Sequence, residues 1–148
     1  MSNQHHAPAA HLVAPTAVGT HPSVAAWLQA FAAAVRDRNF SGARGLFWAD
    51  AEGFGTVANR WNGIDQLEAE QWQGVWGRTA DFDFDLDAAR IVSADDLTLV
   101  ISTWSSDGVG SDGTMRRRVG RATIGLVAVD GDLRAVHTHF SMVPGTPA

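Results

Sequence analysis

The chain has 148 residues, among them six tryptophans and seven phenylalanines, with 45% apolar and 18% charged residues; that suffices for one domain with a substantial core and is too little for two. Its formal charge of -5 at pH 7 argues against a phosphate-tracking surface, because nucleic-acid affinity rests on clustered cations. Cysteine, lysine and tyrosine are absent, which excludes disulfides, thiolate metal sites, cysteine nucleophiles, Schiff-base chemistry, P-loop lysines and tyrosine acids.

Residues 1–21 are Ala, His, Pro and Thr without a period and read as an unstructured tail before a single domain over 22–148. Pro8, His11, Pro15 and Gly19 break any apolar run there, so the segment does not read as a signal peptide, and a cytoplasmic protein without membrane contact is expected. His5, His6, His11 and His21 read as solvated side chains without a metal-binding scaffold. A first helix is expected from Pro22 or Ser23 to about Asn39, with Val24, Trp27, Leu28, Phe31 and Val35 as one apolar stripe. A shorter helix follows from a Ser41 cap through Leu46 and Phe47, then a strand-like stretch over 51–61. Asn62 caps a third helix, about Gly63 to Arg78, with Ile64, Leu67, Trp72, Val75 and Trp76 on one side.

Beyond Thr79 the period becomes two. Asp81, Asp83, Asp85 and Asp87 alternate with Phe82, Phe84 and Leu86, the pattern of a half-buried strand with a wet carboxylate face. A second strand spans about Leu97 to Ser105, and a loop over 106–113 leads to a third, about Thr114 to Val129. The third meets a fourth, Leu133 to Val143, across Asp130-Gly131, a strong hairpin signal. Helices followed by a meander of strands is α+β. Arg116, Arg117 and Arg118 point to alternating faces and read as a solvated strand start. The third strand is apolar on both faces, and three helices cover only one. A homodimer packed through the outer sheet face is therefore expected.

Two clusters could carry chemistry. Glu68 falls inside the apolar arc of the third helix at 100° per residue, where burial beside indoles would raise its pKa and suit it to general acid or base work; the alternatives are pairing with an arginine or exposure. His137 and His139 share a strand face and could shuttle protons or make structural hydrogen bonds. Neither a metal nor a cofactor is expected, since no third ligand accompanies them. A two-residue loop would pair His137 with Ile124, whereas a bulged three-residue loop would pair it with Thr123 and His139 with Arg121.

The order of elements, Asn62-Gly63 opening the third helix, and the ending Arg121-Ala-Thr123, Asp130-Gly131 and Val136 to Pro144 resemble the SnoaL-like branch of the nuclear transport factor two-like, ketosteroid isomerase-like superfamily over about Val24 to Pro144. The resemblance implies a cystatin-like α+β cone, a curved antiparallel sheet wrapped on three N-terminal helices, with an apolar pocket inside and a dimer through the outer sheet face. The chain is also similar to the association domain of calcium/calmodulin-dependent kinases, which ends in a comparable His-x-His segment and oligomerises. An ungapped alignment puts the isomerase tyrosine at Phe31, its base near Phe54 or Gly55 and its acid near Ile124, none able to do that chemistry. The kinase pocket arginines would fall near Ile124 and Phe140. The same alignment puts Ile124, Val136, Thr138 and Phe140 inside, turns the histidines outward near Arg121, and favours the bulged loop.

Two functions from different classes follow. In the first, Trp27, Phe31, Trp72, Trp76, Trp104, Ile124, Thr138 and Phe140 line a pocket for a small, mostly apolar molecule, with Glu68 as acid or base of an isomerase, cyclase or hydrolase type reaction. In the second, the chain is a non-catalytic assembly module whose outer face, with Arg121, His137 and His139, carries the information.

Overall fold

The computed structural model describes residues 13–145. Strand β1 (Val13–Ala17) precedes helix α1 (Pro22–Asp37) and helix α2 (Phe40–Arg44). Strands β2 (Phe47–Phe54) and β3 (Trp61–Asn62) lead into a third helical run over 64–78. Five strands complete the chain: β4 (Thr79–Phe84), β5 (Arg90–Ala94), β6 (Leu97–Val109), β7 (Met115–Val129) and β8 (Asp132–Met142). The sheet order is β1-β5-β6-β7-β8-β2-β3, and β4 also pairs with β6. Helices and a curved open sheet make this an α+β protein.

Several expectations need correcting. The proposed tail is structured from residue 13, because β1 pairs antiparallel with β5 and Val18 buries its side chain; His5, His6 and His11 lie outside the described residues. The sheet is not wholly antiparallel, since β2 runs parallel to β8. Helix α1 ends one residue early, on Arg38 in the left-handed region. Asn39 instead caps α2, its Oδ1 accepting from the Gly42 amide at 2.9 Å, and Ser41 lies inside that helix. An Asx side chain reaches the third amide ahead more readily than a serine placed two residues later. Asn62 does not cap the third run; Gly63 sits at that position, and the Asn62 amide donates to Gln66 Oε1 at 2.6 Å.

The third run is composite: α3 (Ile64–Leu67), a π turn (Glu68–Trp72), α4 (Gln73–Val75) and a closing 3-10 turn (Trp76–Arg78). The wide turn inserts extra length and shifts the phase of everything around it. Gln71 and Trp72 are both buried, as Trp27 and Leu28 are in α1.

The β7–β8 hairpin turns on Asp130 and Gly131, both at positive φ, with Val129 opposite Asp132. The loop therefore has two residues, not the bulged three. The irregularity lies further along, at Val136 between the pairs Gly125–His137 and Leu126–Ala135. A bulge inside the strand changes parity just as a bulged turn would. His139 consequently faces Thr123 rather than Arg121, while Thr138 pairs with Ile124 and turns inward.

The core lies between the concave sheet face and the helices. Phe31, from α1, is its hub, with seven aromatic rings centred within 6.2 Å of its own. Trp72 and Trp76, one turn apart, stack at 4.7 Å.

Candidate functional site

The inward residues of β6 to β8 and the third helical run do not meet completely. Between them remains a cavity of about 70 Å³, open to solvent on one side. Trp104 and Ser106 of β6, Arg118 of β7, and Thr138, Phe140 and Met142 of β8 form the sheet wall. Leu67, Gln71, Trp72, Val75 and Trp76 form the facing wall, and Phe31, Phe47, Trp61 and Phe82 close the inner end. An apolar void of ~150 Å³ admits a benzene molecule and a water needs only ~10–15 Å³, so the enclosed part suits a small group and the rest of a ligand would lie in the mouth.

Residues 54–56 form one lip of the mouth. Gln71 fixes it: its Oε1 accepts from the amides of Val57 (2.9 Å) and Ala58 (2.8 Å), and its Nε2 donates to Thr56 Oγ1 at 2.7 Å. A buried amide with these bonds satisfied is a rigid brace. Across the mouth, Arg118 shares the inward parity of Gly120, Ala122 and Ile124 and stands opposite Ser106. Its guanidinium lies against Gly108, where any Cβ would overlap Arg118 Nε. Deeper in, Trp61 is fully buried and its Nε1 has no hydrogen-bond acceptor among the described residues.

Of the residues expected to line the pocket, Phe31, Trp72, Trp76, Trp104, Thr138 and Phe140 do so. Trp27 does not: it stacks on Phe31 at 5.5 Å and donates its Nε1 to the Leu46 carbonyl at 3.0 Å, as a packing residue. Ile124 is wholly enclosed in the sheet's inner layer and is not part of the lining. Glu68 is also misplaced by the regular-helix reading. It pairs with Arg44 at 3.5 Å and accepts from Gln73 Nε2 at 3.1 Å, outside the cavity. Arg44 also bonds Asp65, and that bond is the main reason its guanidinium pKa is raised. Arg44 draws the Glu68 carboxylate outward, and Gln71, in phase with Ile64 and Leu67, is the polar residue of this run that lines the cavity.

Arg121, His137 and His139 lie on the outer face. Arg121 Nε donates to Ser141 Oγ at 3.3 Å, His137 Nδ1 contacts the Glu52 carbonyl at 2.8 Å, and His139 meets Phe54 edge-on at 5.1 Å. Beside them Leu97, Ile101 and Val119 remain 46%, 45% and 41% exposed.

Sequence reasoning missed Gln71, Trp61, Ser106 and Arg118. For Arg118 the signal was present, because strand parity with Ile124 puts it on the inward face. For Gln71 the signal was present too, because at 100° per residue it falls between Leu67 and Ile64 on the apolar arc.

The sequence profile described as a SnoaL-like domain matches residues 24–145. Comparison with curated proteins gives no match. Among solved structures, a putative calcium/calmodulin dependent protein kinase II association domain from Xanthomonas campestris is similar, with a TM-score of 0.72 and 18% identity over 83% of this chain and 87% of that one. A putative aromatic ring hydroxylase from Novosphingobium aromaticivorans has a TM-score of 0.72 and 14% identity over 89% and 94% of the respective chains. A putative dehydratase of the NTF2-like family from Streptomyces avermitilis has a TM-score of 0.71 and 16% identity over 84% and 96%. At such identities the likeness concerns the fold.

Proposed function

The chain belongs to the SnoaL-like domain family, and from that premise we propose that it binds a small, mostly apolar molecule in the half-open cavity between β6–β8 and the third helical run. The supporting observation is the braced mouth: Gln71 holds Thr56, at the end of the lip, and the amides of Val57 and Ala58 beyond it, while the rings behind leave space unfilled. A void bounded by apolar walls and a few oriented polar groups is the usual form of a small-molecule site. Among the described residues the lining contains no Asp, Glu, His or Cys. A proton abstracted from a bound carbon would need a base within hydrogen-bond reach, so the reading supported here is binding, without Glu68 as acid or base.

Four of the lining residues are tryptophans, Trp61, Trp72, Trp76 and Trp104, so indole fluorescence reports occupancy directly. Titration with small ring compounds should give saturable quenching. Ser106→Leu, which puts a larger side chain into the cavity, should abolish it while leaving the far-UV spectrum intact. A response that survives Ser106→Leu places the ligand elsewhere, and a flat response across the panel refutes the reading.

A second reading concerns assembly. The exposed Leu97, Ile101 and Val119 share the outer sheet face, and a second copy of the chain would cover them. Sedimentation should then show a dimer that Ile101→Arg converts to monomer; a monomeric wild-type chain at micromolar concentration rules it out.

A further inference from the structure

We propose that the ligand of this cavity carries a carboxylate, received by Arg118 at the open side while the apolar remainder faces the rings. The proposal rests on the cavity being a binding site and adds the chemical class of its occupant.

Among the described residues, Arg118 is the one charged residue in the lining. Its neighbour Arg117, on the opposite face, has protein partners in Asp107 at 3.7 Å and Ser105 Oγ at 2.9 Å. Among the described residues Arg118 has neither an ion pair nor a side-chain hydrogen bond, although it is half-buried against Gly108. A guanidinium that loses part of its hydration without gaining an acceptor is destabilised, and an anion arriving there reverses that loss. Its planar fork matches the two oxygens of a carboxylate.

The surroundings have the same sign. Arg118 also borders two recesses beside the mouth, one shared with Arg78 and the other with Arg116. The single carboxylate in either recess, Asp112, is engaged by Thr114, at 3.0 Å from the amide and 2.6 Å from Oγ1. Three guanidinium groups thus face one occupied carboxylate in a chain whose formal charge is -5. Such a local inversion of sign attracts anions to this edge and repels cations. Inside, the only polar side chains are neutral ones such as Ser106, Thr138 and Gln71, so the charged end of a ligand belongs at the mouth.

Calorimetric titration of the full chain with phenylacetate and with phenylacetamide, compounds of one shape and different charge, tests this. The acid should bind about tenfold more tightly, the difference expected when a neutral hydrogen bond becomes charge-assisted at a partly exposed site. Arg118→Gln should bring the acid down to the amide's affinity and leave the amide unchanged. Gly108→Ala provides a second variant, since its methyl group takes the guanidinium's resting place; it should lower the affinity for the acid alone. Equal affinities in the wild-type chain, or selectivity that survives both substitutions, overturns the carboxylate assignment while the cavity reading stands. Absence of heat and of indole quenching with either compound overturns both.

Discussion

Replacing Phe31 by alanine removes the ring on which the interior is organised. The ring is 4% exposed and touches aromatic neighbours from α1, β2, β4, β8 and the third helical run. Burying a phenylalanine contributes up to ~3 kcal/mol. Each Å³ of void left behind adds ~24 cal/mol, so ~50 Å³ unfilled brings the loss to about 4 kcal/mol. With a urea slope of ~2 kcal/mol per M, the unfolding midpoint should fall by ~2 M. Because Phe31 also borders the cavity of about 70 Å³, the vacated space joins it and approaches the ~150 Å³ that admits benzene. Benzene should therefore restore part of the lost stability in Phe31→Ala and have little effect on the wild-type chain, by linkage to binding. Urea denaturation followed by indole emission, with and without benzene, measures both. A loss below ~1.5 kcal/mol, typical of a peripheral contact, would show that Phe31 is not the hub, and a loss without benzene rescue would show that the two spaces do not connect.

Two further perturbations probe the sheet wall and the loop beside the mouth. A Cβ on Gly120 would overlap the Trp104 indole and the Ser141 carbonyl, so Gly120→Ala should cost ~1–3 kcal/mol through overpacking and shift indole emission as Trp104 moves; an unchanged thermal midpoint would contradict the packing. The Asp112 carboxyl is held below its ordinary pKa of 3.8 by hydrogen bonds from Thr114, first the hydroxyl and then the amide. Since the folded-state value is the lower one, the stabilisation is present above 3.8 and disappears as pH falls through the depressed value. A carboxyl-detected NMR titration should show Asp112 below 3.8, moving back toward it in Thr114→Val; a wild-type midpoint at or above 3.8 refutes this.

How much of this was legible in the sequence follows from what is local. The stripe from Val24 to Val35, the alternation around Phe82 and Phe84, and the Asp130-Gly131 turn are properties of neighbouring residues, and α1, β4 and the β7–β8 hairpin follow them. Strand β1 carries no such pattern, because it is defined by the edge of the distant β5; β5 itself is local, turning onto β6 through Asp95 and Asp96 with Asp95 at positive φ. The parallel β2–β8 pairing has the same origin as the β1 pairing. Glu68 shows a different limit: at 100° per residue both it and Gln71 fall in the apolar arc, and the distant Arg44 decides that the carboxylate turns out while the amide turns in. Arg118 was legible by parity but was grouped with its neighbours as a solvated run.

These placements bear on where specificity can reside in such a fold. The three compared structures carry different descriptions, an association domain, a hydroxylase and a dehydratase, on one architecture, so the architecture does not choose among them. In this chain the inner end is filled by rings whose mutual contacts fix one another, and altering any of them costs core stability. The mouth is under weaker constraint. There Arg118 rests on a glycine that leaves room for its guanidinium, beside the segment over 56–58 that Gln71 braces from within. Changes of charge or shape at these positions alter the ligand without touching the hub around Phe31. If the cavity binds as proposed, selectivity in this chain resides at the rim, where Arg118 is the charged group among the described lining residues.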